Sequence, residues 1–549
     1  MLFRSDTWIA DVAGVSDPKS RLRFQLRETA SKAELLSKWY ERHPESAEPA
    51  VSAWSTEAPV VTESNDRTVE APARHPNDIP NTLIPLFGAP GVFRGWSFVQ
   101  LMDIEDIAAF DAEGELRWTL RPLDIVDDSG FGFDRESYAT AVGHLLLLNL
   151  RGTLLALDTT VLSADKRPKL LWQKSVDRLS PDSEADIYRE YIPSADRLQQ
   201  YLPQHSGFFP VGPVSLLGLP VISGRRLTVL DALTGDRKWQ LDGIARDAVL
   251  LCSGDNVLVV SESSRQTEVR SLIDGSLRST ARLPDWWDEA NSNVGSSVRD
   301  IDVEEGVDLL WRIILHDQSC LLFRLSSGKS VLECRDLLTD TISWSIELPQ
   351  DSVFSNVAED VVAVISEGRQ VKLVQVDTGN VLADLAVTQI AEPRSLFLRY
   401  SHGHYIVLPE AVEDPSIDLD PVLNSMHVDG RIWAIRRDSM TLAWESPVEH
   451  RWIRQMSPER ATILPNAPIL VLISRGGAAK PGSVIRSTRY GAHVLDIRTG
   501  RTLLDNDDVG VTLNNHWLRM DTEAKRLELS FERRVVTFDY SGSEAAPVK

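Results

Sequence analysis

The stretch Val229-Leu-Asp231-Ala-Leu-Thr234-Gly235-Asp-Arg-Lys-Trp239 decides the fold. An alternating strand ends at Asp231, whose carboxylate can accept backbone N–H bonds and bond the Thr234 hydroxyl in a tight turn. Gly235 supplies the positive φ that such a turn requires. Trp239 then falls on a face of the next strand where a large ring can wedge between neighbouring sheets. The segment predicts a β-hairpin whose tryptophan packs against an adjoining unit.

The same pattern recurs in degenerate form along the chain. Its aspartates, called markers below, are 41 to 73 residues apart, and this spacing suits a four-stranded sheet with variable loops. From about Ile84 onwards, short apolar runs of strand length are bounded by Gly, Asn, Asp or Pro, which predicts an all-β fold. The eight markers are Asp111, Asp158, Asp231, Asp274, Asp336, Asp377, Asp438 and Asp496.

The string D-x-x-T-G-x-x-x-W at residues 231–239 resembles the tryptophan-docking repeat of pyrroloquinoline-quinone (PQQ) type propellers. The resemblance covers roughly residues 84–542, and with eight markers it implies an eight-bladed β-propeller. That superfamily includes the quinoprotein alcohol dehydrogenases and the scaffold lipoprotein of the outer-membrane β-barrel assembly machine. Repeat residues hold blades together whatever the pore does, so the resemblance concerns the fold more than the activity.

Four segments are expected along the chain. Residues 1–43 form a helical N-terminal segment, because apolar side chains recur at helical spacing after Pro18. Residues 44–82 form a disordered linker rich in Pro, Glu and Ser. The propeller occupies residues 83–542, and a disordered tail occupies residues 543–549. The strands at 526–539 are expected to close the ring by pairing near residues 93–120, because an open edge would expose unpaired backbone.

Composition narrows the classes of function. Hydrophobic residues make up 42% and charged residues 25% of the chain, as in soluble globular proteins. The net charge of −22 repels phosphate backbones and argues against nucleic acid as a partner. No apolar run is long enough to span a membrane. Met1–Asp11 lacks the unbroken apolar core of a signal peptide, which favours a cytoplasmic protein; an extracytoplasmic location stays open if the N-terminus is truncated. Oligomeric state is left open.

The three cysteines, Cys252, Cys320 and Cys334, are sparse and include no adjacent pair. This count argues against a disulfide framework and favours buried free thiols. A Cys320–Cys334 bridge is left open.

Several polar and aromatic clusters are candidates for a site. His402 and His404 would lie on one face of a strand as metal ligands do, although a third local ligand is missing and solvent-facing histidines are commoner. The acidic loop Glu410–Pro421 offers oxygen ligands, but it lacks the glycine-containing calcium pattern, so a solvated loop is favoured. Its acids are Glu413, Asp414, Asp418 and Asp420.

Two aromatic segments could anchor a partner or pack back onto the blades, and both alternatives stay open. One is the long insertion Arg178–Gly207, with Tyr188, Tyr191 and Tyr201, and the other is Trp286-Trp287. Arg475-Gly476-Gly477 is expected to be a turn, because no helix follows that could hold a phosphate. No residue is assigned as catalytic, cofactor-binding or metal-binding, and no cofactor is assigned.

The function favoured by the sequence is a non-catalytic propeller that binds a protein partner or ligand, either alone or as the C-terminal module of a longer protein. The alternative is a PQQ-dependent quinoprotein dehydrogenase that oxidises an alcohol or sugar. That resemblance would imply PQQ over a tryptophan floor, a calcium site, an aspartate base and a disulfide of adjacent cysteines. The chain has no adjacent cysteines.

Overall fold

The structure is a computed structural model of the 549-residue chain. Every regular element in its described part is a β-strand, apart from one helical turn at Trp286-Trp287. The described residues are the strands given below and most of residues 214–287, 309–411 and 425–454. The predicted helix within residues 1–43 and the tail at 543–549 lie outside them. The expectation of an all-β fold is confirmed.

The first strands of the chain are β1 (Val60–Glu63), β2 (Thr82–Ile84) and β3 (Leu86–Gly88). Sheet 1 combines β2 with β4 (Ser97–Gln100), β5 (Ile107–Phe110) and β6 (Leu116–Leu120). Sheet 2 contains β7 (Tyr138–Val142), β8 (Leu145–Leu150), β9 (Thr153–Leu162) and β10 (Pro168–Ser175). Sheet 3 contains β11 (Leu219–Ser223), β12 (Arg226–Leu230) and β13 (Arg237–Asp242).

The middle of the chain forms three four-stranded units. Sheet 4 contains β14 (Val249–Ser253), β15 (Asn256–Ser261), β16 (Gln266–Ser271) and β17 (Leu277–Arg282). Sheet 5 contains β18 (Leu309–His316), β19 (Ser319–Ser326), β20 (Lys329–Asp336) and β21 (Ile342–Leu348). Sheet 6 contains β22 (Val353–Ala358), β23 (Val361–Ser366), β24 (Gln370–Gln375) and β25 (Val381–Ala386).

The remaining strands form three further units. Sheet 7 contains β26 (Ser395–Ser401), β27 (His404–Glu410), β28 (Ser425–Arg436) and β29 (Leu442–Arg454). Sheet 8 contains β30 (Ile469–Ala478), β31 (Ser487–Asp496) and β32 (Thr502–Gly510). The closing sheet contains β33 (Trp517–Asp521), β34 (Arg526–Phe531), β35 (Arg534–Asp539) and β1.

Within each sheet, strands that follow one another in sequence pair antiparallel. Between sheets, first strands pair parallel at two junctions, whereas β29 meets β30 antiparallel at Trp452 and Ile473, so that sheets 6, 7 and 8 are continuously hydrogen-bonded. Leu86–Gly88 pairs parallel with β7, and β22 meets β26 in parallel at Ser355 and Leu396. The Asn356 side chain reinforces that second junction, because it accepts from the Leu398 N–H at 2.7 Å and donates to the Leu398 carbonyl at 2.8 Å. First strands at the hub and last strands at the rim are the arrangement of β-propellers.

The hydrophobic core is divided among the seams between consecutive sheets. Seven buried clusters join sheet 1 to sheet 2 and so on up to sheet 8. In the seam between sheets 3 and 4, for example, Val229 packs with Val257. Because both faces of an inner sheet are covered, strands such as β23 are buried at every position.

Four seams contain a tryptophan docked on the hairpin turn of the next sheet, as the sequence predicts. Each indole Nε1 donates to a carbonyl one residue after the start of that turn, at 2.8 to 3.0 Å. Each ring also lies flat against a glycine with positive φ. The pairs are Trp172 with Gly235, Trp239 with Gly275, Trp344 with Gly379, and Trp444 with Gly500. Trp239 is partly buried and packs on the seam between sheets 3 and 4.

In the hairpins that the structure describes in sheets 3 to 8, the turn residue is glycine where a ring docks on it and another residue where none does. A Cβ on any of the four glycines would lie 2.5 to 2.8 Å from the indole. Asp340 and Met440 occupy the same turn position in sheets 5 and 7, also with left-handed φ of 55° and 52°. The preceding sheets have Ser279 and Ala383 where the tryptophan would be. Steric contact with the ring, more than the φ value, therefore dictates glycine at this position.

Three of the seven markers within the described residues coincide with the start of the turn. The Asp231 carboxylate accepts the Leu233 and Thr234 N–H groups at 3.1 Å, as predicted. Asp336 and Asp496 bond their own turns in the same way. In sheets 4, 6 and 7 the equivalent positions are Ser271, Gln375 and Arg436, each of which accepts the N–H of the residue four places later.

The other marker assignments are therefore wrong by position. Asp274, Asp377 and Asp438 lie two or three residues after the start of the turn, which is occupied by Ser271, Gln375 and Arg436. Asp158 lies inside β9, with its carboxylate 4.0 Å from His144 Nε2. Asp111 lies outside the described residues.

Chain closure differs from the sequence-based expectation. Arg534–Asp539 pairs antiparallel with β1, with Val60 opposite Thr537 and Glu63 opposite Arg534. The predicted partner, residues 93–120, instead belongs to sheet 1. A strand at residues 60–63 also corrects the linker prediction for 44–82 at that point. The count of eight blades is not confirmed, since the described strands group into eight marker-bearing sheets and a closing sheet.

Docking of the ring on glycine is tested by comparing Gly379→Ala with Gly254→Ala. Both glycines have left-handed φ, so both substitutions carry a backbone cost of about 1–2 kcal/mol. The new Cβ would lie 2.5 Å from Trp344 Cδ2 at the first position but meet no atom within 4 Å at the second. We expect a clearly lower melting temperature for Gly379→Ala. Equal melting temperatures for the two variants would contradict the steric role of the ring.

Closure is tested by two N-terminal truncations, one that ends before β1 and one that removes it. Loss of residues 1–64 leaves the β35 edge unpaired, so we expect a lower melting temperature and aggregation. Loss of residues 1–58 keeps β1 and should leave the melting temperature close to that of the full chain. Differential scanning fluorimetry measures both. Indistinguishable truncations would show that β1 does not stabilise the closing sheet.

Candidate functional site

A groove of about 970 Å³ lies between sheets 3 and 4. Its apolar part is formed by Leu241 and Ile244 from sheet 3 and the connection that follows, and by Val259 from β15. Its polar wall is one face of β16, where Gln266, Glu268 and Arg270 alternate with buried residues. The β15–β16 turn contributes Ser261, Glu262, Ser263 and Ser264 to the rim. The groove therefore presents hydroxyl, amide and carboxylate groups over an apolar floor.

The charged groups of the groove are engaged by neighbours. Arg270 Nε donates to Glu268 at 2.7 Å, and Trp287 Nε1 donates to Glu262 at 2.8 Å. Arg225 Nε donates to the Ile244 carbonyl at 3.2 Å, which fixes the connection after β13. Groups held in this way can recognise a ligand with little reorganisation.

Asp242 on the groove rim is kept ionised by its neighbours. Hydrogen bonds from Arg226, at 2.6 Å, and from Gln240 lower the pKa of the Asp242 carboxyl. Both side chains are exposed, so the pair contributes little to stability. Its effect is to place an ion pair, Arg226 with Asp242, beside the groove.

A second surface begins next to the Arg270 end of the groove, because Arg270 pairs with Leu277 across the strands. The first residue of the outermost strand is a large exposed apolar side chain in three consecutive sheets: Leu277 (52% exposed), Ile342 (50%) and Val381 (44%). Each lies two residues after the positive-φ turn position, so the three are equivalent in the repeat. We call them the outer row. The described residues contain one other large hydrophobic of this exposure, Leu162, beside the corresponding hairpin of sheet 2.

The predicted histidine pair does not share a strand face. His402 and Gly403 form a two-residue turn between β26 and β27, both with positive φ, and His404 begins β27. His404 Nδ1 lies 2.7 Å from the His402 carbonyl oxygen and His402 Nδ1 lies 2.8 Å from Ser401 Oγ, so both rings bond locally. The described residues contain no group of three or more His, Cys, Asp or Glu suited to a metal ion.

Trp286-Trp287 lies in the core between two sheets, and Arg475-Gly476-Gly477 lies within a strand. Trp287 is fully buried and Trp286 is 9% exposed, so the pair belongs to the seam between sheets 4 and 5 and does not anchor a partner. Trp286 Nε1 donates to Asp340 at 2.7 Å. Arg475-Gly476-Gly477 lies within β30, paired with β31, so the prediction of a turn is wrong.

Other candidates fall outside the described residues. These are the insertion Arg178–Gly207 with Tyr188, Tyr191 and Tyr201, and the acids Glu413, Asp414, Asp418 and Asp420. Glu410 closes β27 and accepts from Ser395 Oγ. No helix in the described part of the chain is long and apolar enough to cross a membrane.

Sequence reasoning missed both the groove and the outer row. The row has a signal in the sequence, because aligning the repeats on their turns places Leu277, Ile342 and Val381 in one column. The polar alternation of β16 also has a signal, in the spacing of Gln266, Glu268 and Arg270. No signal in the sequence shows that these β16 residues lie opposite Leu241 and Ile244 of the preceding sheet.

No family model matches the chain, and no curated protein matches it. Among solved structures, BamB from Moraxella catarrhalis is 14% identical over 74% of this chain and 98% of that chain, with a TM-score of 0.26. The WD40 domain of SCAP from fission yeast is 9% identical over 88% and 98%, with a TM-score of 0.31. A quinohemoprotein alcohol dehydrogenase from Pseudomonas putida HK5 is 11% identical over 76% and 77%, with a TM-score of 0.29.

Similarity at these TM-scores carries no argument about function. The class of the protein is defined by its own strands and seams. It is an all-β repeat protein with the sheet arrangement of a β-propeller.

The cysteines are free thiols, with Cys320 and Cys334 buried and Cys252 half-buried. Burial raises the pKa of the Cys334 thiol to about 11, only partly opposed by a hydrogen bond with Ser319. Only about a thousandth of this thiol is ionised at pH 8. Since the thiolate is the nucleophile, the buried thiols should react slowly.

We expect an aromatic disulfide reagent to modify Cys252 first in the native protein at pH 8. Cys320 and Cys334 should react only after unfolding in denaturant, because burial blocks access and disfavours the thiolate. Absorbance of the released thiol counts the reactive groups in each state. Equal reaction rates for all three thiols in the native protein would contradict the burial of Cys320 and Cys334. Fewer than three reactive thiols after unfolding without reductant would indicate a disulfide.

Proposed function

We propose that this chain is a PQQ-like repeat β-propeller that serves as a non-catalytic binding scaffold. The observation that carries the proposal is the groove between sheets 3 and 4, which combines an apolar floor with fixed polar groups. Convergent polar groups over apolar surface are typical of binding sites. The occupant we favour is a segment of a protein partner, because the β16 face lines the groove with amide, carboxylate and guanidinium groups that a polypeptide can bond.

The state of the groove's charges supports binding in preference to proton transfer. Glu268 is paired with Arg270, and Glu262 accepts from an indole N–H. A general acid or base needs a pKa near the working pH and an unengaged lone pair or proton. Paired carboxylates instead provide fixed acceptors, which suits recognition of a polypeptide backbone or of donor side chains.

The number of units is also proposed here. We infer a ring in which the closing sheet is a ninth blade, completed by β1. The support is that the closing sheet has the same four-stranded order as sheets 4 and 5, with the N-terminal strand in the outermost place. Joining the two chain ends in one sheet removes an open edge.

Site-specific photo-crosslinking tests the groove. A photoreactive phenylalanine analogue replaces Gln266 on the groove wall, and a matched variant carries it at Gln350, an exposed glutamine outside the groove. In the cells that make the protein, we expect a discrete protein adduct from position 266 that is absent from position 350. The adduct should disappear when Glu268 and Arg270 are both replaced by Ala, since the polar wall is then lost.

Two outcomes would overturn the scaffold proposal. One is an identical pattern of adducts from positions 266 and 350, which would show no preferred partner at the groove. The other is tight, stoichiometric binding of PQQ and calcium with turnover of an alcohol, which would favour the quinoprotein dehydrogenase.

A further inference from the structure

The outer row is a repeated feature of consecutive sheets. Leu277, Ile342 and Val381 begin the outermost strands of sheets 4, 5 and 6, and about half of each side chain is exposed. These sheets are joined in order by the seams that hold them, so the three side chains lie along one side of neighbouring units. Isolated exposed apolar residues need no explanation, but a column of them in equivalent positions does.

Packing does not require an apolar residue at this position. Sheets 3 and 8 have Arg237 and Thr502 there, both exposed. In sheet 7 the residue is Leu442, which is half-buried and packs on the seam with sheet 6. The apolar side chains of sheets 4 to 6 therefore contribute little to the fold, and their exposure is available for binding.

Each member of the row is accompanied by a carboxylate in the turn that precedes it. Asp274 and Asp377 are exposed, and Asp340 is half-exposed. Hydrogen bonds from the Ser276 hydroxyl and then its backbone N–H lower the pKa of Asp274, so this carboxylate stays charged. The row thus places exposed carboxylates beside its apolar side chains in sheets 4 and 6, whereas Asp340 in sheet 5 is already paired with Arg335 at 3.2 Å.

We propose that the outer row docks a polypeptide segment of another protein that carries both apolar and Lys or Arg side chains. Apolar residues of the segment cover Leu277, Ile342 and Val381, and its cations face the adjacent carboxylates. The net charge of −22 disfavours a second copy of this chain and an anionic lipid surface. The row shares no residue with the groove lining, although Arg270 at one end of the groove pairs with Leu277 across the strands.

The test uses the full chain and synthetic peptide probes. A fluorescent peptide of alternating leucine and lysine is compared with a leucine–glutamate peptide and a serine–lysine peptide by anisotropy at physiological ionic strength. The test variant combines Leu277→Ser, Ile342→Ser and Val381→Ser. The matched control combines Arg237→Ser and Thr502→Ser, which change the same repeat position in sheets 3 and 8.

We expect the leucine–lysine peptide to bind the native chain and to bind the test variant at least about tenfold more weakly, since three aliphatic contacts are lost. The control variant should bind as the native chain does, and the two other peptides should bind more weakly to all three proteins. A further variant, Asp274→Asn with Asp377→Asn, should weaken leucine–lysine binding. All substitutions are exposed, so melting temperatures should stay close to native.

Several results would overturn the proposal. The first is that the leucine–lysine peptide does not bind the native chain detectably. The second is that this peptide binds the native chain and the test variant with equal affinity. The third is that the leucine–glutamate peptide binds the native chain as tightly as the leucine–lysine peptide does. Sedimentation that shows a native dimer, lost in the test variant, would assign the row to a second copy. None of these results changes the outcome expected for the crosslink at Gln266, so the photo-crosslinking experiment tests the groove independently.

Discussion

The contact between an indole ring and a turn glycine is the interaction on which the rest of the structure depends. A four-stranded sheet exposes two apolar faces and cannot bury them alone, so each sheet needs its neighbours. Trp239 illustrates the solution: its ring covers the backbone at Gly275, and its N–H satisfies the Leu272 carbonyl. One side chain thereby fixes the spacing and angle between two sheets. The groove and the outer row exist because these seams hold consecutive sheets in register.

Seams without a docked ring are stabilised by other means. Sheet 4 has Ser279 at the tryptophan position, and Trp286 from the following connection donates to Asp340 of sheet 5. Asp340 also accepts from Arg335 at 3.2 Å, so its charge is engaged on two sides. Where the tryptophan is replaced by another residue, the turn glycine of the next sheet is also replaced. This is expected if glycine is needed at that position to make room for the ring.

The two candidate surfaces have no residue in common and differ in chemistry. Around the groove, charges such as Glu268 and Arg270 are paired and half-buried, so they offer fixed directions to a ligand. Along the outer row, carboxylates such as Asp377 lie in exposed turns beside aliphatic side chains. A scaffold with two such surfaces can hold two partners at once, because neither surface shares residues with the other.

The sequence by itself determined the all-β class, the repeat and the tryptophan-bearing hairpins, because strand alternation, turn glycine and docking tryptophan are local signals. It misplaced the turn in sheets 4, 6 and 7, where Ser271, Gln375 and Arg436 replace the aspartate: a backbone turn tolerates other side chains at that position. It also missed β1, since four residues within a Pro- and Glu-rich tract form a strand only through pairing with β35. The burial of Trp286-Trp287 and the apposition that creates the groove were decided by the tertiary structure alone, because both depend on the distance between residues of different sheets.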